Sequence, residues 1–163
     1  MKPEIESVMM HRMAAYCSTA ERCIQDVQKK LQTAGMSKEA AERIIAGLVK
    51  EKFIDENRFA RSFVNDKLRF NKWGRVRISY ELNKKNIPPS LCREAIESID
   101  ESVYQSILLS LLKEKKRTIR GKNEQEIFVK LLHFAAGRGF ENRETIPCLR
   151  MLYKGNDYAE GLE

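Results

Sequence analysis

The feature that most constrains the fold is a pattern of apolar residues that occurs three times along the chain. In each copy, apolar residues at i and i+4 lead to a glycine or an asparagine, which another apolar residue follows. The copies are Val27, Leu31, Gly35 and Met36; Ile78, Leu82, Asn86 and Ile87; and Leu131, Ala135, Gly139 and Phe140. Because they recur at intervals of roughly fifty residues, the pattern predicts three degenerate three-helix units of unequal length.

Apolar residues between these positions also follow the spacing of an α-helix, at i, i+3, i+4 and i+7. This spacing predicts an all-α protein with helices near residues 5–17, 20–34, 38–51, 56–71, 75–85, 89–98, 101–116, 123–136 and 142–152. Residues 75–82 also alternate as a strand would, but no second strand-like run exists to pair with them. Pro147 is expected to kink the last helix or to delay its start, and residues 154–163 are expected to fray.

Polar residues and glycines indicate where the predicted helices begin and end. Thr19 and Ser37 are the expected N-caps of the second and third helices. Gly35, Asn86 and Gly139 each follow a helix at a position that favours a left-handed backbone, and asparagine is the usual substitute for glycine there.

The segment FIDENRFARSFV, residues 53–64, combines two acids with aromatic residues and arginines. Asp55 is the expected N-cap of the fourth helix, with Glu56 next to the positive end of the helix dipole. Phe59 and Phe63 are expected to enter the core. A catalytic role for the two acids is not favoured, because no histidine and no metal-ligand pattern lies nearby in the sequence to share acid–base work. A related segment, SIDESVY, begins at residue 98.

Positive charge is concentrated in two short segments of a chain whose net charge is +7. Residues 58–85 hold nine basic and two acidic residues, and residues 113–122 hold six basic and one acidic. Such concentration favours a polyanionic partner, either nucleic acid or an acidic protein groove, over a merely solvated surface. The candidate binding residues, which we expect to project into solvent, are Arg58, Arg61, Arg69, Lys72, Trp73, Arg75, Arg77, Lys84, Lys85, Lys115, Lys116, Arg117, Arg120 and Lys122. For Trp73 itself, packing as a hydrophobic joint between helices is favoured over binding, whereas binding is favoured for Lys72, Arg75 and Arg77.

The remaining composition excludes several classes of protein. No apolar run approaches the roughly 20 residues that a membrane helix needs, and the N-terminus lacks the apolar segment of a signal peptide, so we expect a cytoplasmic protein. The cysteines are widely spaced without a CxxC pair, and His11, Cys17 and Cys23 diverge around a helix. We therefore expect buried thiols, no metal, no cofactor and no enzymatic activity.

Three runs in the second unit follow one another in a specific order: Ile-Asp-Glu-x-Arg-Phe-Ala at residues 54–60, a basic turn with glycine at 72–75, and Arg-Ile-x-x-Glu-Leu-x-x-Lys-x-Ile at 77–87. Together they resemble the RecX family of bacterial recombination regulators. The sequence departs from the family where Lys52 replaces a usual glycine, where Asn86 and Pro88 replace a glycine and a polar cap, and where Trp73 interrupts the basic turn.

The resemblance implies an elongated, curved array of three tandem three-helix repeats at residues 1–54, 55–99 and 100–153. It also implies a protein that binds the RecA recombinase, chiefly as its nucleoprotein filament, and that inhibits strand exchange and co-protease activity. We expect the protein to be a monomer. The alternative is a helical module that binds DNA or RNA without a dedicated protein target. Whether single- or double-stranded DNA is bound directly stays open at this point.

Overall fold

The computed structural model describes residues 3–153, and within that range it contains nine α-helices and no β-strand. The helices are α1 (Pro3–Thr19), α2 (Ile24–Thr33), α3 (Lys38–Lys50), α4 (Glu56–Arg69), α5 (Arg75–Lys84), α6 (Pro89–Glu97), α7 (Glu101–Lys116), α8 (Glu124–Gly137) and α9 (Asn142–Leu152). The predicted all-α class is therefore confirmed, as is the helical state of residues 75–82. The tail that we expected to fray lies outside the described residues. No helix in the described range is both long enough and apolar enough to cross a membrane.

The start of the second helix differs from the prediction. Thr19 is the last residue of α1 rather than a cap, and its hydroxyl donates to the carbonyl of Tyr16 at 2.8 Å. Cys23 has an extended backbone and directly precedes α2, which begins at Ile24. The prediction for Ser37 is confirmed, because its hydroxyl accepts a hydrogen bond from the third residue of α3.

The acids of the two related segments begin their helices in the same way. The Asp55 carboxylate accepts the N–H of Arg58 at 3.1 Å, and the Asp100 carboxylate accepts the N–H of Val103 at 3.1 Å. Asp55 is thus the N-cap that the sequence predicted. At the other end of the chain, α9 begins five residues before Pro147 and continues past it, so the proline does not delay the start of the helix.

Left-handed residues end the helices where the repeated pattern placed them. Gly35, Asn86 and Gly139 have φ values of +81°, +60° and +94°. Lys52 and Lys72 adopt the same region, at +63° and +56°. Except at Lys72, the next residue donates its N–H to the carbonyl five residues earlier, at 2.9–3.3 Å, which satisfies an orphan carbonyl of the helix end. The apolar residues at i and i+4 of the pattern are fully buried: Val27, Leu31, Ile78, Leu82, Leu131 and Ala135.

Replacing Lys52 by glycine is expected to raise the free energy of unfolding by about 1 kcal/mol. The reason is that the left-handed region costs an L-residue about 1–2 kcal/mol, which outweighs the extra chain entropy of glycine. Urea denaturation at neutral pH measures the change. The control is Glu51→Gly, at a neighbouring residue with φ −86°, where only the entropic cost applies and stability should fall. A loss of stability in the Lys52 variant would contradict the expectation.

The described chain divides into two compact units. The first comprises the chain up to Phe63 together with Leu82–Ala95. Helices α1, α2 and α3 supply most of its core, whose buried members include Met13, Val27, Leu31, Ile44, Leu48 and Ile54. Helix α1 approaches α3 closely at Gly47, where an added Cβ would lie 2.8 Å from Cε of Met10.

The second unit comprises Val64–Glu81 and the chain from Ile96 onward. Its fully buried side chains include Ile78 of α5, Tyr104, Leu108 and Leu112 of α7, Leu131 of α8 and Leu149 of α9. The limits predicted for the three sequence repeats are a different division of the chain, and they stay a prediction.

Candidate interaction surface

The turn between α4 and α5 is joined through its backbone to the turn between α8 and α9. The N–H of Gly74 donates to the carbonyl of Arg138 at 2.9 Å, and that of Val76 donates to the carbonyl of Gly139 at 3.0 Å. A Cβ on Gly74 would lie 2.4 Å from the carbonyl carbon of Gly139. A Cβ on Gly139 would lie 2.5 Å from the Cβ of Arg77. Glycine at both positions is therefore what allows these backbones to meet.

Side-chain and backbone hydrogen bonds fix the rest of the α4–α5 turn. The Arg138 guanidinium donates to the carbonyl of Asn71, and its Nε donates to the carbonyl of Lys72 at 3.2 Å. The N–H of Trp73 donates to the carbonyl of Lys67 at 3.1 Å. The turn is thus a fixed platform, and the side chains that it carries are presented in defined positions.

Trp73 organises two cations on this platform. The Cζ atom of Arg77 lies 4.3 Å from the centroid of the Trp73 ring, and Nζ of Lys67 lies 5.1 Å from it. These are cation–π contacts, which hold the ring and the charges together. Trp73 is partly exposed, so it serves both as a joint within the second unit and as part of its surface.

Arg75 is the candidate whose environment differs most from the prediction. Its side chain is 13% exposed, and its guanidinium lies 2.5 Å from Glu101, 2.9 Å from Glu141 and 3.7 Å from Glu144. Its Cζ atom also lies 3.9 Å from the centroid of the Tyr104 ring. The expectation that Arg75 projects into solvent is wrong, because these partners are distant in sequence and enclose it only in the fold.

Tyr104 completes a closed network around Arg75. Its hydroxyl donates to the Glu141 carboxylate and accepts the N–H of Arg75 at 3.0 Å. Burial raises the pKa of Tyr104, and the bond to Glu141 raises it further. Burial also acts to raise the pKa of Glu141, but hydrogen bonds from Tyr104 and Arg75 outweigh it and hold that pKa below its usual value. The network therefore fastens the start of α5 to α7 and α9.

Arg69 and Lys72 are the exposed cations of the same turn. Nε of Arg69 donates to the side-chain oxygen of Asn65 at 2.7 Å, and Nζ of Lys72 donates to the carbonyl of Arg69 at 2.5 Å. Both side chains are exposed and neither has a carboxylate among these partners. The structure thus brings Arg69, Lys72, Trp73 and Arg77 together around one turn of the second unit.

The candidates of the first unit have partners of their own. Nε of Arg58 lies 2.5 Å from the Glu21 carboxylate, and Nζ of Lys85 lies 3.1 Å from the Asp26 carboxylate. Such ion pairs neutralise part of the charge that the sequence counted as excess. The other two candidates of this unit, Arg61 and Lys84, are exposed.

The second basic segment lies at the end of α7 and in the loop that follows. Nζ of Lys115 lies 5.0 Å from the centroid of the Phe134 ring, and Nζ of Lys116 lies 4.0 Å from that of Tyr153. These two lysines therefore cover aromatic rings of their own unit. The remaining candidates here are exposed, namely Arg117, Arg120 and Lys122.

Sequence reasoning missed the exposed apolar residues of the α4–α5 region. Phe70, Val76 and Tyr80 are 78%, 60% and 61% exposed. A signal for two of them was present in the strand-like alternation of residues 76–82. In a helix, that alternation places Ile78 and Leu82 inward and leaves Val76 and Tyr80 on the outer face.

Two kinds of reactive site, a metal centre and an exposed thiol, are missing from the described residues. No group of three or more histidine, cysteine or acidic side chains in this range is placed to hold a metal ion. The four cysteines are buried, and burial raises the pKa of the Cys23 thiol to about 11, which makes it a poor nucleophile at neutral pH.

Comparison with known proteins connects this surface to one family. Residues 55–96 match a family model described as the second three-helix domain of RecX. This segment contains α4, α5 and the turn between them, together with most of α6. The match therefore covers the basic, glycine-containing turn that carries Arg69, Lys72 and Trp73.

Curated relatives extend the similarity over most of the chain. A regulatory protein RecX from Prosthecochloris aestuarii is 29% identical over 144 residues, which cover 86% of this chain and 92% of the relative. Proteins of the same name from Lactobacillus johnsonii and Clostridium tetani are 26% and 30% identical and match 85% and 84% of the chain. The chain spans only 51% and 62% of the length of these two.

Two solved structures share the fold. A crystal structure of a regulatory protein RecX superimposes with a TM-score of 0.78 over 85% of this chain and 68% of its own, at 24% identity. The crystal structure of RecX from Lactobacillus salivarius gives 0.80 over 93% of this chain and 98% of its own, at 17% identity. At these identities the likeness concerns the fold alone.

Proposed function

We propose that this chain is a RecX-family regulatory protein that binds the RecA recombinase, chiefly as its nucleoprotein filament, because residues 55–96 match the second three-helix domain of RecX and most of the chain is similar to regulatory proteins named RecX. Bound there, it inhibits strand exchange and co-protease activity. The observation that carries the proposal is the family match over residues 55–96, since this segment presents exposed cations on a fixed turn. In this proposal the protein acts by binding, without catalysis and without a cofactor, as a monomer in the cytoplasm.

The charges of the second unit suit such a role. Arg69 and Lys72 are exposed beside a platform that the backbone of Arg138 and Gly139 holds in place. Preorganised cations lose little side-chain entropy when they meet a partner, which favours electrostatic complementarity with an acidic surface. A bound protein changes the activity of a filament only if its affinity differs between the active and the inactive state of that filament. Inhibition is thus expected to come from selective binding.

A helical module for DNA or RNA alone is the second candidate. The exposed Arg117, Arg120 and Lys122 favour it, because three cations near one loop suit a phosphate backbone. This candidate requires affinity for bare strands that falls steeply as salt is raised.

Co-sedimentation tests the two functions against each other. The full chain is mixed with single-stranded DNA alone and with the same DNA coated by RecA, at low and at physiological salt. Tight binding to coated DNA, with suppressed DNA-dependent ATP hydrolysis by RecA, supports the proposed function. No effect at stoichiometric concentration in low salt would reject it. Equal affinity for bare and coated DNA would favour the nucleic-acid module.

Reversing the charge of Arg69 and Lys72 together is expected to weaken binding to the filament about tenfold or more at low salt, because like charges would then face each other. The thermal midpoint should change little, since exposed charges contribute little to stability and Lys72 keeps a side chain in the same left-handed conformation. Fluorescence anisotropy with labelled, RecA-coated DNA measures the affinity. The control is Lys29→Glu with Lys38→Glu, an equal change in net charge on exposed residues of the first unit. Equal losses in the two variants would show that only net charge matters.

A further inference from the structure

Three exposed apolar residues flank the α4–α5 turn along the chain. Phe70 directly follows the last residue of α4, and Val76 and Tyr80 lie one helical turn apart on the outer face of α5. Each is 60% or more exposed. Single exposed apolar residues are common on protein surfaces, but several in one short segment of a fixed platform indicate a contact site.

The chemistry of this set favours a protein partner over nucleic acid. A surface that stacks on bases uses aromatic rings, but Val76 has none, and the Trp73 ring already carries the Arg77 guanidinium at 4.3 Å. An apolar groove on a protein can accommodate an aliphatic side chain and both remaining rings alike. Large aromatic side chains surrounded by arginine are also typical of the residues that dominate protein–protein affinity.

The cations next to these apolar residues indicate which charges the partner carries. Arg69 and Lys72 are exposed at the same turn, and their described partners are an amide oxygen and a backbone carbonyl. A groove that accepts this surface therefore needs carboxylates at its rim to complement the two cations.

We propose that Phe70, Val76 and Tyr80 are an apolar anchor that docks into a protein groove rimmed by carboxylates, and that Arg69 and Lys72 meet that rim. This inference rests on the proposed function and assigns the groove to the RecA subunits of the filament rather than to its DNA. Apolar burial does not depend on salt as ion pairs do. Binding should therefore keep a component that persists at high salt and that is lost when the anchor is truncated.

The test uses the full chain with Phe70→Ala and Tyr80→Ala combined. Because both side chains are exposed, the fold should be unaffected, which circular dichroism and the thermal midpoint check. The matched control is Met151→Ala, a 63% exposed apolar residue of α9 in the same unit. Affinity is measured for a RecA-coated oligonucleotide and for the bare oligonucleotide, each at low and high salt.

We expect the double variant to bind the coated oligonucleotide at least about tenfold more weakly at both salt concentrations. Its affinity for the bare oligonucleotide, and the binding of the control, should stay as in the wild type. An unchanged affinity for the coated oligonucleotide would overturn the anchor while leaving the proposed function intact. A parallel loss on bare DNA would overturn it in favour of stacking on bases. Failure of the wild type to bind the coated oligonucleotide would overturn both the anchor and the proposed function.

Discussion

Replacing Arg75 by methionine is expected to lower the free energy of unfolding by about 3 kcal/mol at neutral pH, because it removes the buried partner of two carboxylates that are themselves largely buried. Methionine keeps the aliphatic volume beside the Tyr104 ring, so the loss reports on the charge. The side chains of Glu141 and Glu144 are only 16% and 17% exposed and would lose their nearest cation. Urea denaturation at pH 7 measures the difference.

Arg143→Met is the matched control. Arg143 approaches the same two carboxylates, at 3.7 Å from Glu141 and 3.9 Å from Glu144, but its side chain is 78% exposed. Exposed ion pairs contribute about 0–1 kcal/mol, so this variant should stay close to the wild type. Similar losses for the two variants would show that burial of Arg75 does not matter.

The same network makes the effect of the Arg75 variant depend on pH. The pKa of Glu141 is lowered in the folded protein, so its ionised form stabilises the fold above its unfolded pKa. That contribution is lost as the pH falls through the folded pKa. The difference in stability between the wild type and Arg75→Met should therefore be largest near neutrality and shrink below about pH 4. A difference that is constant from pH 7 to pH 3 would contradict this assignment.

Replacing Gly139 by alanine should cost about 2–5 kcal/mol, from two causes that add. The left-handed backbone costs an L-residue about 1–2 kcal/mol, and overpacking costs about 1–3 kcal/mol more. The overpacking arises because the new Cβ would lie 2.5 Å from the Cβ of Arg77 and 2.6 Å from its backbone nitrogen. Thermal and urea unfolding measure the loss.

Two other glycines separate these causes. Gly35 has a φ of +81° with nothing within 4 Å of an added Cβ, so Gly35→Ala should show the conformational cost alone. Gly137 lies at the end of α8 with open space around it and without a positive φ, so Gly137→Ala should be neutral or stabilising. If Gly139→Ala costs no more than Gly35→Ala, the two turns do not meet as closely as described.

Local signals in the sequence predict most of the fold. Helical spacing and the left-handed positions at Gly35, Asn86 and Gly139 identify the helices and their ends, because these depend on neighbouring residues. The start of α2 was missed because Thr19 and Cys23 both precede an apolar residue. The choice between them depends on where α1 ends, and α1 continues through Thr19, whose hydroxyl donates to the carbonyl of Tyr16 in the same helix.

The candidate surface was less predictable because it depends on contacts between distant residues. In the sequence, Arg75 and Arg69 look alike, and only the carboxylates of Glu101 and Glu141 distinguish the buried one. Charge counting also overlooks Phe70, whose exposure depends on how the turn is held. Apolar residues that contact a partner do not change the net charge of a segment, so a count of charged residues does not detect them.

The hydrogen bonds between the turns at residues 70–76 and 137–140 decide whether the α4–α5 turn can keep its conformation in a shorter piece of the chain. The family model matches residues 55–96, yet Arg138 and Gly139, which hold the backbone of the α4–α5 turn, lie outside that segment. A fragment cut at those limits would keep the side chains of Phe70, Val76 and Tyr80. It would lose the hydrogen bonds with Arg138 and Gly139 that hold the turn beside them. Transferring the α4–α5 turn and its exposed residues to another protein would therefore require residues 137–141 to be transferred as well.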